Sequence, residues 1–161
     1  MSDDFFQLIS QILGPFATGR LLIDESELIK LSENSENRAS YIKTNGTGDL
    51  KKIRGAHIDG PGTVFTFLLY LKLPNDFSVG ADLHLLMEEK SSGIRGFLGY
   101  IRGQLKLIKT VEYKANTLLI FLNGTDSWHD ISPRKNAKIT RMSIQGGLTS
   151  DKKVYRFTPA K

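Results

Sequence analysis

A chain of 161 residues with 3 histidines, 17 acidic residues and no cysteine can hold a metal only through imidazoles, carboxylates or neutral oxygens. The most suggestive combination lies in GAHIDGPGTVFTFLLYL, residues 55–71, where His57 and Asp59 precede a Gly-Pro-Gly turn and a long apolar run. Side chains two apart on an extended segment share a face, so this pair can offer a nitrogen and an oxygen to one ion. A surface histidine beside a turn aspartate has the same spelling, and on His-x-Asp alone that plainer reading is preferred. His129 lies in NTLLIFLNGTDSWHDISP, residues 116–133, where the chain leaves a polar turn after an apolar strand. In ITRMSI, residues 139–144, Arg141 and Ser143 share one strand face, and Thr140, Met142 and Ile144 share the other. A guanidinium is costly to bury in an apolar strand unless it meets an anion. Its fork beside a hydroxyl suits a carboxylate. On Arg141 alone, a solvated sheet face or an ion pair with a local acid is the slightly preferred reading.

These residues need elements to bring them together. Residues 3–13, DDFFQLISQIL, predict a helix with Phe5, Leu8, Ile9 and Ile12 at helical spacing and Asp3 and Asp4 at its positive end. Gly14-Pro15 is expected to stop it. ESELIKL, residues 25–31, predicts a second, shorter helix. Residues 32–50 read as loop, with a strand near Tyr41. Residues 63–73 alternate: the odd positions Phe65, Phe67, Leu69, Leu71 and Leu73 are all apolar and the even positions mixed, as in a strand with one face on the core and the other on something partly polar. Pro74-Asn75-Asp76 makes a turn. Further strands are expected over 81–87, 104–113, 117–122, 137–145 and 153–157. Helices first and then seven or eight short strands separated by turn residues point to an antiparallel sandwich or barrel in one domain.

Bulk properties exclude several classes. Without cysteine there are no disulfides, thiolate metal sites or cysteine nucleophiles. The start MSDDFF lacks a basic leader segment, and the longest apolar run is too short to span a bilayer. A soluble cytoplasmic protein without membrane contact is the expectation. The net charge of +5 comes from 22 basic and 17 acidic residues spread along the chain. It reads mainly as solvated surface, and a nucleic-acid partner is not indicated.

Taken together, His57-x-Asp59, a distant His129 and then Arg141-x-Ser143 resemble the Fe(II)- and 2-oxoglutarate-dependent dioxygenases, most closely the prolyl-hydroxylase-like branch. The resemblance covers residues 40–148, and residues 1–40 match no known pattern. It implies a mainly β fold: a double-stranded β-helix, or jelly-roll barrel, over 41–161, with helical support from 1–40 packed on one sheet. It implies Fe(II) on His57, Asp59 and His129, with 2-oxoglutarate and O2 as cosubstrates. Arg141 would clamp the far carboxylate of 2-oxoglutarate with Ser143 assisting. Tyr70, on the mixed face with Thr66, would add a hydroxyl; a strand tyrosine with its hydroxyl at the surface is an equal reading. The implied reaction is hydroxylation of a peptidyl prolyl or other side chain, or of a small molecule.

Some features depart from the family pattern. SVGADLHLL has one glycine, Gly80, where relatives usually have a pair. PRKNAK lengthens the spacing from His129 to Arg141, which brings Arg134 and Lys138 forward as alternative carboxylate partners. His84, between Leu83 and Leu85, reads as an ordinary half-exposed strand residue, and Glu88-Glu89 as a solvated strand end. Residues 90–103, KSSGIRGFLGYIRG, read as a loop packing on the barrel edge, or else as a substrate loop through Arg95, Phe97, Tyr100 and Arg102. Two rival functions share the same strands: a metal-dependent cupin isomerase or lyase without 2-oxoglutarate, and a β-sandwich binding module in which the histidines are incidental. Oligomeric state is open, since the Phe5-Phe6 pair serves a partner chain as readily as the sheet.

Overall fold

In the computed structural model, residues 2–17, 19–45, 55–88 and 105–155 are described. Lys51, Lys52, Glu89, the loop 90–103 and Phe157 lie outside them. In chain order, α1 (Asp3–Ala17) and α2 (Glu25–Glu33) lead through a 3-10 turn at Ser35–Asn37 into nine strands among the described residues. These are β1 (Arg38–Asn45), β2 (Thr63–Tyr70), β3 (Val79–Gly80), β4 (Leu83–Glu88), β5 (Leu105–Val111), β6 (Leu118–Leu122), β7 (His129–Ile131), β8 (Arg134–Lys135) and β9 (Arg141–Thr149). The fold is mainly β, and all the strand pairs are antiparallel.

One sheet has the order β1-β9-β2-β6, a second has β5-β4-β7, and β3 pairs with β8 in a short ribbon. β2 is central in the first sheet and is covered on both faces. Its odd positions Phe65 and Phe67 are fully buried against Phe6, Ile9 and Leu28 of the helices. Its even positions Leu68 and Tyr70 pack with Leu83, Tyr113 and Ile131 of the opposing layer. The expected alternation is therefore present, with the helices behind β2 and the partly polar interior in front of it.

The helices differ from expectation in two respects. α1 buries Phe6, Ile9, Ser10, Gly14 and Ala17, while Leu8 and Ile12 stay more than half exposed. The sheet takes the stripe that includes Phe6, whose ring centroid lies 6.0 Å from that of Phe67. The helix also runs through Pro15 to Ala17. A proline this near the end forfeits little of the ladder, and the fully buried Ala17 anchors the last turn. Gly14 lies where α2 approaches: a Cβ there would be 2.8 Å from Glu25 Cγ. Asp24 caps α2 by accepting from the Glu27 N–H at 2.9 Å, and it is held below the usual carboxylate range chiefly by that bond.

β9 begins at Arg141 and not at Ala137: Asn136 lies in the left-handed region (φ 56°), and residues 137–140 after it are irregular, with a bend at Ile139. It lies between β1 and β2, and its glycines make that possible. A Cβ on Gly146 would meet Ala39 O at 1.9 Å, and one on Gly147 would meet Phe65 O at 2.1 Å. The strand expected from 153 onward is not formed. Val154 and Tyr155 are buried in an irregular segment that docks on residues 59–62. Among the described residues no helix is long and apolar enough to cross a membrane.

Candidate metal centre

His57 and His129 come from distant parts of the chain and meet as a backbone rung. Each N–H donates to the other's carbonyl at 3.0 Å, extending the β5-β4-β7 sheet by one isolated bridge. Their ring centroids are 4.3 Å apart. Nδ1 of His57 is 2.8 Å from Gly55 O, and Nδ1 of His129 is 3.0 Å from Ser127 O. A carbonyl only accepts, so each Nδ1 carries the proton and each Nε2 keeps its lone pair. Asp59 Oδ1 lies 3.8 Å from His57 Nε2 and 3.9 Å from His129 Nε2.

Asp59 is held at both ends. Its Oδ2 accepts from Thr66 Oγ1 at 2.7 Å, and Thr66 Oγ1 accepts from Asn123 Nδ2 at 3.0 Å. Its main-chain oxygen accepts from the Tyr155 hydroxyl at 2.5 Å. Burial, with help from the Asp59 charge, pushes that hydroxyl up to about 12, so it remains a donor at neutral pH. Thr66 was visible in the sequence only as a polar residue on the mixed face of β2. Asn123 read as a turn residue, and Tyr155 as part of a terminal strand.

The donor set passes a chemical test for a metal. Three acceptor atoms, two imidazole nitrogens and one carboxylate oxygen, lie within 4.8 Å of one another. First-row divalent ions bond such atoms at about 2.0–2.2 Å, so small movements would let one ion touch all three. Two histidines, one carboxylate and no sulfur suit iron among other borderline ions. The triad opens onto a cavity of about 280 Å³ between the two sheets. Leu68, Leu83, Phe121 and Ile131 form its apolar wall, and Tyr41 and Lys43 of β1 line it as well.

Arg141, Ser143 and Tyr70 are on the interior face of the first sheet, with Tyr70 directly opposite Ser143 in the register. All three are buried, so neither the solvated Arg141 nor the surface Tyr70 hydroxyl is found. The Arg141 guanidinium lies between the rings of Tyr70, at 5.1 Å, and Tyr113, at 4.9 Å. Its one hydrogen bond runs from Nη2 to Ala81 O at 3.4 Å; Nε has no partner, and no acidic side chain is within ion-pair distance among the described residues. Burial lowers its affinity for its proton, and the adjacent Tyr70 and Tyr113 side chains work against that shift. The Tyr70 hydroxyl interacts with Arg141 without a well-aligned hydrogen bond, and burial pushes it up to about 12. None of the three lines the cavity at the triad.

The alternative cations are placed otherwise. Arg134 is fully buried and engaged with Asp76 Oδ2 at 2.9 Å and Ser78 Oγ at 3.0 Å, and Lys138 is exposed. His84 is on the outer face of β4, with Nδ1 2.9 Å from Asp130 Oδ1. Glu88 is exposed.

No protein-family model matches the sequence, and no curated protein matches it. Among solved structures it is similar to one described as "Crystal structure and expression patterns of prolyl 4-hydroxylases from Phytophthora capsici", at 18% identity and a TM-score of 0.49. The match covers 92% of this chain and 42% of that one, so the chain spans less than half of its length.

Proposed function

We propose that this chain is an Fe(II)- and 2-oxoglutarate-dependent oxygenase, of prolyl-hydroxylase-like type, on a double-stranded β-helix formed as a single domain. The convergence of His57 Nε2, His129 Nε2 and Asp59 Oδ1 carries the reading. Two imidazole nitrogens and one carboxylate oxygen converging this closely are a donor set that a divalent cation takes. Two further observations support it. The facing four-stranded and three-stranded antiparallel sheets, with His57 bridged to His129 at the edge of the second, suit a jelly roll. A buried guanidinium without a counter-anion lies on the interior face of the first sheet.

Bound Fe(II), with 2-oxoglutarate and O2, supplies oxidative decarboxylation to succinate and CO2 and hydroxylation of a substrate C–H bond. The protein holds and orients. The Gly55 and Ser127 carbonyls keep the histidine protons on Nδ1, which leaves both Nε2 lone pairs for the metal. Thr66 occupies Asp59 Oδ2, which leaves Oδ1 turned toward the histidines. Arg141 offers its unpartnered Nε to a carboxylate. Ser143 accepts from Gln145 Nε2 at 3.3 Å and keeps its own proton to donate. The apolar cavity wall excludes water. A peptidyl side chain, prolyl or other, is the proposed substrate class.

One observation favours a second reading: the cavity at the triad is not lined by Arg141. A metal-dependent cupin isomerase or lyase would need the triad and no carboxylate clamp. Adding Fe(II) and 2-oxoglutarate anaerobically and recording the visible spectrum separates the two. A weak charge-transfer band, absent in His129→Ala, is expected. Metal binding without a band would favour the isomerase or lyase. No metal binding would leave a β-sandwich binding module.

A further inference from the structure

The segment that follows β9 lies against the loop carrying Asp59. Ser150 N donates to Gly62 O at 2.8 Å, and Val154 N donates to Pro61 O at 2.7 Å. The fit is close enough that a Cβ on Gly62 would lie 2.5 Å from Ser150 O. From the other side, Leu22 N donates to Val154 O at 2.7 Å, so the segment is fixed to the helical layer as well. At its end Tyr155, 1% exposed, directs its hydroxyl at Asp59 O and Gly60 O, at 2.5 and 3.1 Å. Gly60 O also accepts from Thr63 N at 2.8 Å. Among the described residues Asp59 O has no other donor.

We infer that Tyr155 is a positioning residue for the metal centre: its hydroxyl fixes the Asp59 main chain and thereby sets where the carboxylate stands relative to the two histidines. This rests on the metal-binding reading above. Asp59 needs two constraints because it lies between elements. Thr66 directs the carboxylate from β2, and among the described residues Tyr155 is the one donor to the main-chain oxygen of Asp59 itself. Removing the hydroxyl leaves the ring packed and the Thr66 bond intact, yet lets the loop shift by fractions of an ångström, which a three-donor site registers as lost affinity. Outer partners that orient metal ligands typically change affinity by about 10–100-fold.

The test is anaerobic titration of Mn(II) alone into wild type, Tyr155→Phe and a core control, Leu28→Val, with urea unfolding of each apo protein. Tyr155→Phe is expected to weaken Mn(II) binding at least tenfold, while the control, also destabilised, keeps the wild-type affinity. Equal affinity in wild type and Tyr155→Phe would overturn the inference and leave the metal centre standing. A wild type that binds no Mn(II) would remove the centre itself, and the inference with it. Amide exchange in the wild type needs no variant to fold. Coupling is reciprocal, so Mn(II) is expected to slow exchange at Val154 and Leu22 more than at Leu28, within α2. Equal slowing at all three would also overturn the inference.

Discussion

Arg141 is unusual for what surrounds it: two tyrosine rings, one long hydrogen bond to a carbonyl and, among the described residues, no carboxylate within ion-pair distance. Removing a guanidinium from water costs several kcal/mol, and desolvated cation–π contacts return about 2 kcal/mol or more each. The rings therefore offset the burial in part, and an anion would complete the offset. If the proposed function holds, Arg141→Met is expected to raise the urea midpoint of the apo protein and to abolish the thermal stabilisation expected of 2-oxoglutarate in the metal-loaded wild type. A lower midpoint with stabilisation retained would make Arg141 structural. At this scale the sequence was informative about groups and poor about their supports. A histidine two before an aspartate restricts geometry by itself. Nothing in the spelling of Thr66, Asn123 or Tyr155 says which backbone or carboxylate oxygen each will find, because those partners are set by tertiary contacts.

Among the elements, the β3-β8 ribbon depends on a buried ion pair. Burial alone would push Asp76 up, but hydrogen bonds from Ser78 and the Arg134 charge outweigh it and hold the carboxyl below its ordinary range. A carboxyl lowered by folding contributes stability that is present above its unfolded value and lost as pH falls through its folded one. Asp76→Asn is expected to cost about 3–5 kcal/mol at neutral pH, because Arg134 is left buried and unpaired. It should also flatten the fall in stability between about pH 5 and 2. Urea unfolding across that range measures both, and an unchanged acid slope would mean that other carboxylates dominate. Strand content was legible where alternation was strong, as in β2. It failed over 137–145 because Ile139 and Thr140, good strand formers, run straight on into β9 across a bend at Ile139 that the spelling does not mark. In α1, the stripes through Leu8 and through Phe6 are both plausible by period, and only the sheet behind the helix selects between them.

At the scale of the whole molecule, the helices cover one side of the four-stranded sheet and the second sheet covers the other. The triad lies where the chain's middle and its later part close on each other. A ligand that binds only the closed form stabilises it by mass action. Mn(II) at a hundredfold excess over its Kd is expected to add about 2.7 kcal/mol, chiefly by slowing unfolding, and a chelator should remove the effect. An unfolding rate indifferent to Mn(II), with folding accelerated instead, would mean that the two histidines are still together in the transition state. Helices followed by antiparallel strands were legible from element order. The two-sided burial of β2 was legible only as a contrast between its odd and even positions.

That contrast has a consequence for changing the protein. Phe65 and Phe67 pack in the helical layer, with Phe67 also bordering the cavity, while Thr66 and Leu68, between and beyond them, line the cavity. The specificity of the pocket and the integrity of the scaffold are thus written in alternate letters of one short strand. Replacing Leu68 reshapes the cavity and leaves the helical packing untouched. Inserting a single residue before Phe65 would exchange the two sets at once, with aromatics thrust into the cavity and a threonine set against the helices. This strand can be varied by substitution and has almost no tolerance for a change in length.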